Sequence, residues 1–373
     1  MRFSIQKTAL VQAVQIVSKA VAVRTTKQVL SGILLEVRDA EIVVTAYDME
    51  LGIQTRITAT DDNQLKIEQP GSIVLPARYF SEVIRKLPDT IITMHVANNY
   101  MTEISTASVQ FHLHGIDAEE FPKLPSFVGV DKLQLQSDVL ANLIRTTAFA
   151  TANTEVRPVL TGIDIKCQDN QLVFIATDGL RLATHHVELS DAPTWEAVIP
   201  GKSLLELTKI LPSGDAGVDL YLTKSHSLFI TGDTRFYTRL IDGTYPDTSR
   251  IIPSSHKTEL RVAGDEMLGA IDRAALIARD RDNHMVRIEV EDKVMTVSSN
   301  SPEIGNVSET VGIEQKDGEN VQIAFNGRYV LDALRALDAT SLTIRFNGAT
   351  QAFVIEKTGD KSVLQLISPV LWR

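Results

Sequence analysis

Three stretches of this chain can be laid one under another: PARYFSEVIRKLP (76–88), PGKSLLELTKILP (200–212) and NGRYVLDALRALD (326–338). Each carries a base at its third place (Arg78, Lys202, Arg328) and an acid at its seventh (Glu82, Glu206, Asp332). Each has a second base at its tenth (Arg85, Lys209, Arg335). Steps of four and three return to one face of an α-helix. The opposite face is apolar: Phe80, Val83 and Leu87, then Leu204, Leu207 and Leu211, then Val330, Leu334 and Leu337. Agreement at charged and apolar places together marks an internal repeat.

The repeat extends both ways. An earlier helix is expected once per unit, in KTALVQAVQIVSKAV (7–21), SDVLANLIRTTAFAT (137–151) and GDEMLGAIDRAALIA (264–278). Ser137-Asp138 and Gly264-Asp265 suit helix starts. Between the two helices of each unit run alternating, β-branched stretches: SGILLEVRDAEIVVTAYDMEL (31–51), TGIDIKCQDNQLVFIATDGLRL (161–182) and MVRIEVEDKVMTVSSNSPEIG (285–305). More hairpins follow the second helix. Strands outnumber helices and do not alternate singly with them, so the class is α+β, antiparallel sheet with two helices per unit. PKLPSFVGV (122–130) and PDTSRIIPSSH (246–256) read as crossings between units. Three domains follow, at 1–125, 126–252 and 253–373.

Composition bounds the function. The chain has 373 residues, 44% hydrophobic and 23% charged, with no run long enough for a membrane helix. The start, MRFSIQKTAL, has no apolar leader core, so no secretory signal is expected. A single cysteine, Cys167, excludes an intrachain disulfide framework and fits a reducing cytoplasm. The net charge is −10, yet the six helical segments sum to +5, leaving −15 elsewhere. Solvated helices often carry mixed charge. The recurring Arg/Lys pairs on one face point beyond that, to a lining that meets phosphates loosely and without reading sequence.

RPVLTGI (157–163), IATDGLRLA (175–183), RLIDGTYPD (239–247), FNGRYVLDAL (325–334) and the terminal LISPVLWR (366–373) complete the picture. In order and spacing over its whole length the chain resembles the bacterial sliding clamp, the beta subunit of DNA polymerase III. That resemblance implies a head-to-tail homodimer forming a six-domain ring, helices facing the hole and sheets forming the outer wall. It implies duplex DNA, bound without sequence specificity, as a partner, and no cofactor or metal. Phe111 and Leu113 would meet Leu276 and Ile277 of a second copy. A peptide pocket between the second and third domains would dock the replicative polymerase, clamp loader and repair proteins. Carried over position by position, it comprises Leu160, Thr177, Gly179, Leu180, Arg181 and Leu182. Pro246, Arg250 and Ile251 join it, with Leu366, Ser368, Pro369 and Val370 from the end of the chain. Leu180 stands where the family often has an aromatic ring or histidine, and Ser368 where an aliphatic residue or methionine is common. Leu371-Trp372-Arg373 replaces a more usual ending, and Gln28 a frequent proline. The DNA-facing candidates are Lys7, Lys19, Arg24, Arg78, Arg85 and Lys86, then Arg145, Lys202, Lys209, Arg273, Arg328 and Arg335. Arg279 and Arg281 are further ones. The setting implied is the bacterial cytoplasm, at the nucleoid during replication.

Other chemistries fit less well. GKS (201–203) lacks the earlier glycine of a phosphate-binding loop, since position 196 is Glu196. His112 and His114 could share a strand face, but no further ligand completes a metal set in sequence. His185 and His186 point to opposite faces of a strand. Asp48 with Glu50, and Asp178, could be taken for metal carboxylates, but they fall at equivalent points of two repeats, which favours a turn role. The alternatives to a clamp are a metal-dependent nucleic-acid enzyme and a peptide scaffold that ignores DNA.

Overall fold

The helices form where the repeat predicts them. The structure, a computed structural model, describes residues 1–190, 192–278 and 284–371. Arg279 and Arg281, and Trp372-Arg373, lie outside the described residues. The six α-helices are α1 (Lys7–Val17), α2 (Ala77–Lys86), α3 (Ser137–Thr147), α4 (Gly201–Thr208), α5 (Gly264–Ala278) and α6 (Gly327–Leu337). A short 3-10 turn extends α1 and α3, at Ser18–Ala20 and Ala148–Ala150. Every paired strand in the chain runs antiparallel to its neighbours, among the described residues.

Two details depart from the sequence reading. On α2 the buried row is Phe80, Ile84 and Leu87, with Val83 only half-buried, because steps of four and three from Phe80 land on Ile84. Ser137 opens α3, as its place implies, but its side chain is spent elsewhere. It lies buried inside the first turn of α3, its hydroxyl donating to the Pro212 carbonyl (2.5 Å).

The chain divides into two compact units, Met1–Asp138 with Glu206–Leu240, and Val139–Leu205 with Ile241–Arg373. The second repeat contributes to both. In the first unit a five-stranded sheet runs from Lys66–Gln69 through Arg2–Gln6, Ile91–Val96 and Met101–Ser105 to the edge strand Gln110–His114. An eight-stranded sheet joins two repeats: Thr234–Arg239 pairs with Leu51–Thr58, setting Phe236 opposite Ile53. In the second unit one twelve-stranded sheet runs from Trp195–Pro200 to Val321–Asn326. Its join is Arg181–Glu188 on Val363–Ile367, with Leu182 opposite Leu366.

α5 and α6 cover the core of the second unit, which includes Met267, Ile271, Val330 and Leu334. Gly264 opens α5 where the Ala339 carbonyl oxygen would lie 1.7 Å from any added Cβ, so this approach admits only glycine. At the centre Phe353 lies between Phe325 and Phe346, its ring centroid 5.3 Å from each. All three rings are fully buried. Phe353→Ala should lower unfolding stability by about 3–5 kcal/mol, read as a shift of the urea midpoint at unchanged slope. A loss below about 1 kcal/mol would mean that the ring stack is not the keystone of this core.

Candidate functional site

The sequence ATDGLRL folds into a tight turn between two strands, Gln171–Thr177 and Arg181–Glu188. Its geometry follows from short polar side chains bonding to their own backbone. Asp178 Oδ1 accepts from the Leu180 and Arg181 amides (2.9 and 3.1 Å), and Thr177 Oγ1 accepts from the Gly179 amide (3.1 Å). The Thr177 hydroxyl donates to the Arg181 carbonyl (2.6 Å). Gly179 takes φ +92°, a left-handed conformation that favours glycine. Asp48 does the same in the first repeat, accepting from the Glu50 and Leu51 amides (2.9 and 2.7 Å). These two aspartates are therefore turn builders, as their equivalent placement indicates.

The end of the chain is fastened to this turn. The Ser368 amide donates to the Leu180 carbonyl (2.9 Å), and the Val370 amide to the Ala324 carbonyl (2.7 Å). Pro369 bridges Phe325. Two apolar clusters lie beneath. Leu182, Leu366 and Val354 form one, with Ile252 against it; Leu160, Val198 and Tyr245 form the other. Ile175 touches both. Leu180 and Ile251 stay 54% and 50% exposed, uncommon for large aliphatic groups. Buried Tyr245 accepts the Thr177 amide (3.0 Å), and burial pushes its phenol up. The structure thus ties Thr177, Gly179, Leu180, Arg181, Leu182, Leu366, Ser368 and Pro369 into one locality. Arg250 points away into solvent, its nearest acid Asp247 at 3.8 Å.

Arg181 behaves unlike a groove residue. Its guanidinium is 6% exposed, bonded to Asp178 Oδ2 (3.0 Å) and to Asp332 Oδ2 of α6 (2.7 Å). The rings of Tyr329 and Phe149 lie 4.5 and 5.3 Å from it. The sequence shows Asp332 only as the acid on the charged face of its helix, and the link is not legible there, because only the fold brings positions 181 and 332 together.

The basic helix residues divide by partner. Lys7 Nζ donates to the Leu87 carbonyl (2.6 Å) at the end of α2. Lys209 pairs with Glu206 (2.6 Å), Arg335 with Asp272 (3.0 Å), and Arg273 with Glu309. Lys19, Arg24, Arg78, Arg85, Lys86, Arg145, Lys202 and Arg328 have no ion-pair partner among the described residues. Apart from half-buried Lys19, they are exposed. Phe111 is 38% exposed and Leu276 49% exposed, while Leu113 and Ile277 are half-buried. Of the other histidines considered, His185 is buried against Thr146 Oγ1 (2.7 Å), and burial lowers its pKa to about 4.

Three consecutive segments, 1–125, 134–247 and 249–371, match the N-terminal, central and C-terminal domains of the DNA polymerase III beta subunit. The chain belongs to this family, the sliding clamps. It is 42% identical to the beta sliding clamp of Bacillus subtilis (strain 168) over 99% of both chains. The Staphylococcus aureus beta sliding clamp is 36% identical, over 99% of each. The solved sliding clamp from B. subtilis superposes with a TM-score of 0.96 over 100% of both chains. The beta subunit of Streptococcus pyogenes does so at 0.95, with 28% identity over 100% of each. A sliding clamp is a non-catalytic processivity subunit of the replicative polymerase, so the acids of the repeat turns serve structure and the enzyme alternative falls away. No described helix is long and apolar enough to cross a membrane.

On the strand Gly162–Gln168, Asp164 is buried, and its carboxyl is pushed up to about 6 by desolvation. Lys166 Nζ, at 3.3 Å, opposes this only in part and also bridges Glu196 at 3.1 Å. The folded state holds this proton more tightly than the unfolded chain does. Its contribution is full in acid and is lost as pH rises through about 6. Asp164→Asn should therefore stabilise the protein at pH 8 by about 1–3 kcal/mol and leave it little changed at pH 4. Chemical denaturation at both values checks this. Equal effects at the two pH values would mean that Asp164 stays ionised throughout.

Proposed function

We propose that two copies of this clamp join head to tail into a six-domain ring around duplex DNA, and that the groove around the Thr177–Leu182 turn tethers polymerase, clamp loader and repair proteins by short peptide segments. The observation that carries the reading is the state of two strand edges. Gln110–His114 ends the five-stranded sheet with Phe111 uncovered, and Gly305–Gly312 pairs only with Val294–Ser301 along its length. Arg24, Arg78, Arg85, Lys86, Arg145, Lys202 and Arg328, unpaired on or beside the helices of an acidic chain, suit loose contact with phosphates. Such contact positions DNA without reading it. Lys7, Lys209, Arg273 and Arg335 have other commitments and would contribute less. The ring would work in the bacterial cytoplasm, on the chromosome.

Sedimentation equilibrium at micromolar concentration tests the assembly. The wild type should run at twice 41.1 kDa. Phe111→Ala combined with Leu276→Ala should shift it toward the monomer and abolish stimulation of processive synthesis. Removing buried aromatic and aliphatic anchors costs an interface roughly 2–4 kcal/mol each, about 30- to 1,000-fold in affinity. A wild type that stays monomeric would contradict the ring and favour the DNA-independent scaffold.

A further inference from the structure

We propose that Asp332 of α6 is a positioning residue for the peptide groove, acting through Arg181. The inference rests on the groove reading above and adds one residue of α6 to it. The Gly179, Leu180 and Arg181 amides are held by the side chains of Thr177 and Asp178. Asp178 is itself held by one further bond, from Arg181 Nε to its Oδ2 (3.0 Å). The guanidinium that makes this bond is buried, so its other donors need partners within the protein. Asp332 Oδ2 takes Nη1 (2.7 Å), and the Tyr329 ring closes over the guanidinium at 4.5 Å. The chain of contacts therefore runs from α6 through Arg181 and Asp178 to the tip of the turn. That tip presents exposed Leu180, whose carbonyl fastens Ser368 of the terminal segment.

The charge of Arg181 is spent on this link rather than on a bound peptide. Without the Asp332 carboxylate a buried guanidinium keeps one acid, and it gains by moving toward water. That movement takes its Nε from Asp178, and the Leu180 and Arg181 amides lose their anchor. Asp332 is itself 41% exposed, so a change there can act without opening the core.

Hydrogen exchange on the full-length protein, followed by mass spectrometry, tests this. Asp332→Asn should accelerate exchange at the Leu180 and Arg181 amides by about 2- to 30-fold, while the buried amides of α5 stay unchanged. Asp338→Asn, at the end of the same helix, should have no such effect. Binding of a fluorescein-labelled peptide that carries a clamp-docking segment of the same organism's replicative polymerase should lose affinity by a similar factor. In an Arg181→Met background, adding Asp332→Asn should change neither readout further, since both act by one route. Unchanged turn exchange in Asp332→Asn overturns the proposal, and so does acceleration spread evenly over α5. Additive effects in the double variant overturn the route through Arg181. A wild type that does not bind the peptide would defeat the groove reading, while the exchange data would still decide the link to Asp332.

Discussion

An open strand edge offers a row of unpaired backbone donors and acceptors, and a sheet protein must cover, blunt or pair each one. Here pairing does most of it. The second repeat gives Thr234–Arg239 to the edge Leu51–Thr58 and Arg181–Glu188 to the edge Val363–Ile367. Other edges are closed by single segments: Ile116 on Gly71–Pro76, Ile241 on Trp195–Pro200, and Val370 on Val321–Asn326. Lys66–Gln69 is short and charged. Gln110–His114 has none of these protections and carries an uncovered phenylalanine. In the proposed ring a second copy of the chain would supply that pairing.

In the proposed ring, loose electrostatic contact and firm closure would have separate jobs. Exposed Arg and Lys on short helices would give contact that salt weakens and that moves readily along a duplex. Retention would fall to the interface between copies, through strand pairing and apolar burial. An acidic body would limit adhesion elsewhere, so such a ring would hold DNA without gripping it.

Much of this was legible in the sequence where the signal is local. The helix pairs were readable because Arg78, Lys202 and Arg328 recur with their acids and apolar rows at fixed spacing. The turn role of Asp48 and Asp178 followed from their equivalent places. What could not be read depends on contacts between distant residues. Nothing near Leu182 announces Leu366, and nothing near Arg181 announces Asp332. Lys7 looked like a free cation, but the fold sets it against the last carbonyl of α2. Ser137 marks the start of α3, as its place implies, but its bond to the Pro212 carbonyl is set by the fold. The candidate groove residues came from resemblance alone, and their shared hydrogen bonds emerged only from the structure.

Topological retention is the property that separates a clamp from a protein that merely adheres. The direct measurement is release from closed circular DNA, after loading by the matching clamp loader, before and after a single linearising cut. The cut leaves every phosphate contact intact and adds only an end. Persistence on the circle followed by rapid loss from the cut DNA is the expected result. Equal release from both forms, with loading verified by crosslinking, would contradict encirclement.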